Sequence, residues 1–93
     1  MKETERELEL KTEMGNLLRN IRLANNIHSI GVVTKELNLS KATLPKIESG
    51  ENFPVSRTLD GLMGIYKTTE SEYKRIIEMR EEMLAIRKAR RNL

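Results

Sequence analysis

Between Leu37 and Gly50 the chain has room for one turn and one short helix, and this stretch narrows the fold more than any other. Asn38-Leu39-Ser40 has the composition of a tight turn, Ser40 is a good helix cap and Gly50 a good helix stop. Leu44 and Ile47 sit three apart, as on one helical face. Lys41, Ala42, Thr43 and Lys46 lie on the other face, all small or cationic, and Pro45 falls in mid-helix as the fifth residue after the cap. An interior proline removes one N–H bond and costs about 3 kcal/mol or more, so a kink is predicted after the first turn. A helix of this kind anchors itself by one side and offers a slim, polar side to a partner.

The flanking segments read as helices too. Leu10, Met14, Leu17, Leu18 and Ile21 recur at helical spacing. Gly15 weakens that helix by roughly 1 kcal/mol relative to Ala, which places its expected start at Met14 and its end near Asn25-Asn26. Ser29 is the expected cap of a second helix, Ile30 to about Leu37, although Ile30, Gly31, Val32, Val33 and Thr34 are poor helix formers. Ser56 is the expected cap of a fourth, Arg57 to about Tyr66. Thr69 and Glu72 form a capping-box signature that opens the longest helix, Glu70 to about Arg90. The expected architecture is all-α, with five helices joined by short links. Residues 1–13 form a charged helical extension, 14–69 the central module and 70–93 a long amphipathic C-terminal helix.

Composition removes several classes of function. There is no Cys, one His and one Asp among 93 residues, which leaves almost no nucleophile–base set and no metal-ligand spacing, so neither an enzyme nor a cofactor is expected. His28 reads as a surface loop residue. One Phe, two Tyr and no Trp argue against an aromatic platform for single strands. No run is apolar enough to span a membrane, and the acidic N-terminus lacks the basic and apolar regions of a signal peptide, so the expected location is cytoplasmic. The net charge of +3 is uneven: residues 80–93 carry five cations and two acids, residues 1–13 three cations and five acids. A basic end fits a polyanion partner, or equally a helix C-terminus complementing its own dipole.

A short helix, a tight turn and a second short helix make a helix-turn-helix, whose second helix must be slim enough for a major groove about 12 Å wide. Here the sequence resembles the lambda-repressor-like family (the Cro and xenobiotic-response-element type). Met14-Gly15-Asn16-Leu17-Leu18-Arg19-Asn20-Ile21-Arg22 is similar to that family's first helix. Leu39 to Gly50, with its Ile47-Glu48-Ser49-Gly50 ending, is similar to the recognition helix. Asn52-Phe53-Pro54, Leu59 and Leu62 resemble the following loop and fourth helix. Two features depart from the family pattern: Pro45, and a second helix that opens His28-Ser29-Ile30-Gly31 where a polar residue, often Gln, is usual.

The resemblance implies a sequence-specific double-stranded DNA-binding regulator of transcription, more often a repressor, acting as a homodimer on a short inverted repeat. Lys41, Ala42 and Thr43 are the expected base contacts; Ser29, Ser40, Lys46, Asn52 and Arg57 the expected phosphate contacts. Arg22 and Glu48 resemble the family's ion pair between helices one and three, a structural role. Ile76, Met79, Met83 and Ile86 recur at three, four and three on the last helix, with Leu93 continuing the line and Tyr73, Ile77 and Leu84 widening it. They are the expected dimer seam, the alternative being that this helix folds back on the N-terminal extension, whose Leu8 and Leu10 also need cover. The rival function is a protein-interaction module on the same fold, antitoxin-like or anti-repressor-like, with DNA contact secondary or lost. An accessory factor for phage or plasmid DNA maintenance would share the DNA chemistry.

Overall fold

The computed structural model describes residues 3–92, and among these the chain is all-helical: α1 Glu5–Ala24, α2 Ile30–Glu36, α3 Thr43–Glu48, α4 Ser56–Tyr66 and α5 Glu70–Arg91. α1 starts nine residues earlier than the glycine argument predicts. Thr4 caps it in a full box: the Glu7 N–H donates to Thr4 Oγ1 (3.1 Å), and the Thr4 N–H donates to Glu7 Oε1 (3.0 Å). Residues 5–13 are therefore the first half of α1 rather than a separate extension. The helix runs straight through Gly15.

Gly15 has a tertiary reason. A Cβ built there lies 2.4 Å from the carbonyl oxygen of Ile47 and 2.8 Å from that of Glu48. The end of α3 rests on the bare backbone of α1, an approach that the missing Cβ permits at the cost of glycine's local helix penalty. Gly15→Ala should thus lose about 1–3 kcal/mol through overpacking, where an exposed helical Gly→Ala would gain stability. A chemical denaturation midpoint at or above wild type would refute the contact.

Four helices stop by one local device: α4 does so at Lys67 (φ 50°), with the Thr68 N–H reaching Met63 O (3.4 Å), and the other three at residues better suited to it. Asn26 (φ 60°), Asn38 (φ 55°) and Gly50 (φ 82°) each take the left-handed conformation just past a helix. In each case the next N–H reaches back into the last turn: Ile27 to Arg22 O (3.1 Å), Leu39 to Thr34 O (2.8 Å), Glu51 to Lys46 O (2.9 Å). Asn and Gly are the residues that accept this geometry cheaply. The Thr69–Glu72 box opens α5 as expected. Ser56 is instead the first residue of α4, with Val55 before it and no side-chain cap.

α5 lies antiparallel along α1, pinned by ion pairs at both ends. Arg6 clasps Glu82 with two nitrogens (Nη2···Oε1 2.9 Å), Arg90 meets Glu7, and Arg75 meets Glu13 at 3.4 Å. Burial alone would push the Glu7 carboxyl up; the Thr4 N–H and the Arg90 guanidinium outweigh it and hold the group below its ordinary range.

The core corrects the assembly expectation. Ile76, Met79 and Met83 are buried in the same cluster as Leu10, Met14 and Leu18, and Ile86 packs half-buried against it. Ile76, Met79 and Met83 are spent inside the chain and are not available as a dimer interface; Ile86 is only partly covered. The fold-back alternative is what forms, and it covers Leu10 but leaves Leu8 exposed. Leu93 lies outside the described residues. Met14, Met63, Met79 and Met83 are all core residues.

Candidate nucleic-acid interface

α3 is anchored at its inner side by Leu44 and Ile47, both buried, and at its end by a buried ion pair. Arg22 donates from Nε and Nη2 to Glu48 Oε2 and Oε1 (2.7 and 2.9 Å) and from Nη1 to the Ile27 carbonyl (2.7 Å). The side chains are only 5% and 7% exposed. The Glu48 hydrogen bonds raise the Arg22 pKa further, so the guanidinium stays charged. Beside it stands Tyr66, whose hydroxyl is buried with no partner among the described residues. Burial, and then the Glu48 charge, push its pKa up to about 12, so it stays neutral.

With that end held, the other face turns outward. Lys41, Ala42, Pro45 and Lys46 are exposed and Thr43 is half-buried. Two expectations change here. The helix begins at Thr43, so Lys41 and Ala42 belong to the turn before it, and Ser40 is no cap: its hydroxyl bonds the Thr43 hydroxyl (2.7 Å). Pro45 then becomes the third helical residue. First-turn N–H groups have no intrahelical acceptor, so the missing donor removes nothing and the predicted mid-helix kink has no cause.

Around α3, Ser29, Asn52 and Arg57 are all exposed. Ser29 precedes α2 without forming a side-chain cap bond. The Asn52 N–H bonds to the Lys46 carbonyl (3.1 Å), tying the α3–α4 loop to the helix end. Two concavities bring candidates together. One joins Thr43 and Asn52 with Lys11, Val55, Thr58 and Arg87. The other joins Lys41 with Lys35, Thr34, Leu39, Ile30 and Gly31. Arg57 stands apart from both, beside Leu37, Asn38 and Gly61.

Lys35, Lys41, Lys46 and Arg57 form no ion pair among the described residues, nor do Arg19, Lys67, Lys74, Arg87, Lys88 and Arg91 elsewhere, whereas Arg6, Lys11, Arg22, Arg75, Arg80 and Arg90 all do. The unpaired cations on α2, the turn, α3 and the start of α4 leave a modestly positive surface. Glu36 and Glu51 are its exposed acids. Lys35 and Arg87 were not among the residues read from sequence as contacts. Lys35 has a signal in hindsight, one turn before the Asn38 stop. Arg87 has none, since nothing local relates it to residues more than thirty positions earlier.

His28 is exposed in the α1–α2 link, and Asp60 accepts a hydrogen bond from Arg80 (3.1 Å). Among the described residues no group of His, Cys, Asp and Glu is placed to hold a metal, and no helix is long and apolar enough to cross a membrane. No protein-family model, no curated protein and no solved structure matches the chain.

Proposed function

We propose that the chain is a sequence-specific double-stranded DNA-binding regulator of transcription, a repressor of the lambda-repressor-like helix-turn-helix type, working in the cytoplasm. The observation that carries it is the two-sided character of residues 41–48. Leu44, Ile47 and the Arg22–Glu48 pair hold the segment rigidly, while its outward side presents Lys41, Ala42, Thr43 and Lys46 without ion-pair partners. In this reading Ala42 and Thr43 meet base edges and thymine methyls, Lys41 meets guanine acceptors, and Lys46, Ser29, Ser40, Asn52 and Arg57 meet phosphates.

Because the α5 stripe is internal, one chain reads one short site. Any two-fold pairing on an inverted repeat has to use another surface. Selection from random duplex DNA at two salt concentrations tests the reading, and the selected motif gives its length. Lys41→Ala and Thr43→Ala should each weaken binding to the selected duplex by about 1–3 kcal/mol and leave non-specific binding nearly intact. Lys46→Ala should weaken both and lower the salt slope by about one. Unchanged sequence preference in the first two variants sinks the assignment of those bases.

A protein-interaction module is the second reading, favoured by Val32 and Val55, which precede and follow α3 in the chain and are 63% and 67% exposed. It predicts no enriched duplex in the selection.

A further inference from the structure

The terminal helices bring an unneutralised arginine to the edge of the proposed DNA face. On α5, Arg75, Arg80 and Arg90 each end on a carboxylate: Glu13, Asp60 and Glu7. Arg87 does not. It is half-buried, forms no hydrogen bond or ion pair among the described residues, and its guanidinium carbon sits 5.9 Å from the centroid of the Phe53 ring. A guanidinium at that distance over a ring is held in place without being neutralised. Phe53 belongs to the α3–α4 loop and is itself buried, so the ring fixes Arg87 relative to α3.

The cleft that Arg87 borders is lined also by Thr43, Asn52, Val55 and Thr58, and no carboxylate lines it. Its other cation, Lys11, is already occupied by Glu3 at 2.6 Å. The Glu7 carboxylate also feels the Arg87 charge, but its Oε1 is engaged by Arg90 and the Thr4 N–H, and its Oε2 is buried with no hydrogen-bond partner among the described residues. One cation without an ion-pair partner, one amide and one hydroxyl therefore line the same cleft as Thr43. That donor set suits a single phosphate diester: a guanidinium for the charge, neutral donors for the remaining oxygens.

We propose that this cleft takes a backbone phosphate of the DNA duplex at the flank of the site read by residues 41–43, with Arg87 as its cation and Asn52 and Thr58 as neutral donors. The inference rests on the DNA-binding reading and adds to it. α5, which lies outside the stretch that resembles a known family, becomes part of the contact surface, and the footprint of a single chain widens beyond its short recognition segment. The C-terminal helix thereby supplies anchoring that the absent seam cannot supply through a second subunit.

A cycle between protein and DNA tests it with the full chain and the selected duplex. Each phosphate is replaced in turn by a neutral methylphosphonate, and binding is measured for wild type, Arg87→Gln and Lys46→Ala. One flanking phosphate should weaken wild type on the order of fivefold when neutralised and leave the Arg87→Gln variant unaffected, while that variant loses about 0.9 from its salt slope. Arg87→Lys should keep the slope. Arg87→Met, which retains the stem over Phe53, serves the same cycle where the Gln variant melts. Identical methylphosphonate profiles for wild type and the Arg87 variants overturn the inference; a slope loss in Lys46→Ala alone then leaves the DNA reading standing. A wild type with no salt-dependent duplex binding overturns both.

Discussion

Glu48→Ala should lower the stability of the chain by about 3–5 kcal/mol, because it leaves the Arg22 guanidinium buried with its charge uncompensated. Only the Ile27 carbonyl would remain as an acceptor. For a domain of this size each kcal/mol shifts the melting temperature by roughly 4–8 °C, so the loss is a large part of the total. The pair's net worth is a separate matter. Arg22→Met combined with Glu48→Leu removes both charges and should recover most of the loss, since apolar replacements of buried pairs are often neutral or better. If the double variant is as unstable as Glu48→Ala, the ion pair itself stabilises the fold. The double variant should also loosen the end of α3, and a weaker preference for the selected duplex at normal stability would assign the pair a role in aiming the segment. Thermal melts and duplex binding on the three variants read both outcomes.

Met83→Glu should unfold the chain or come close to it. Met83 is 0% exposed; truncation at such a site costs about 2–5 kcal/mol, and an unpaired carboxylate in the same place costs more. Leu84→Glu, one residue on and 52% exposed, should stay within about 0.5 kcal/mol of wild type, as surface changes usually do. The contrast separates two roles for the α5 stripe. A dimer seam outside the module's own core would let Met83→Glu leave a folded monomer with a changed sedimentation coefficient. A core position makes it melt early with no such intermediate. A folded, monomeric Met83→Glu protein with wild-type stability would reinstate the seam.

Much of the local structure was legible because its causes are local. The Thr69–Glu72 box, the stops at Asn26, Asn38 and Gly50, and the burial of Leu44 and Ile47 each follow from residues within one or two turns. The Arg22–Glu48 pair was legible only through resemblance, since no spacing rule links residues twenty-six apart. The start of α1 at Glu5 differs from the Met14 expected from the helix penalty of Gly15, because Thr4 and Glu7 form the same box as Thr69 and Glu72. In the candidate interface, the exposure of Lys41, Ala42 and Lys46 agrees with the sequence reading, but their place in the chain does not. Ser40 bonds to the Thr43 hydroxyl instead of capping at Lys41, and that two-residue shift moves Pro45 from mid-helix into the first turn.

By itself the sequence determined that the chain is helical, where most of its helices stop, and which short segment turns a polar side outward. These depend on φ preferences, capping side chains and apolar period, all set by neighbours along the chain. The tertiary structure decided the rest. A glycine that weakens a helix in isolation is required where another backbone rests on it. An apolar stripe has the same period whether it faces a second chain or its own N-terminal half, and only the antiparallel return of α5 along α1 shows that Ile76, Met79 and Met83 face inward. The same return brings Arg87 over Phe53. Burial is a property of what arrives on the other side, and the sequence of one helix does not contain it.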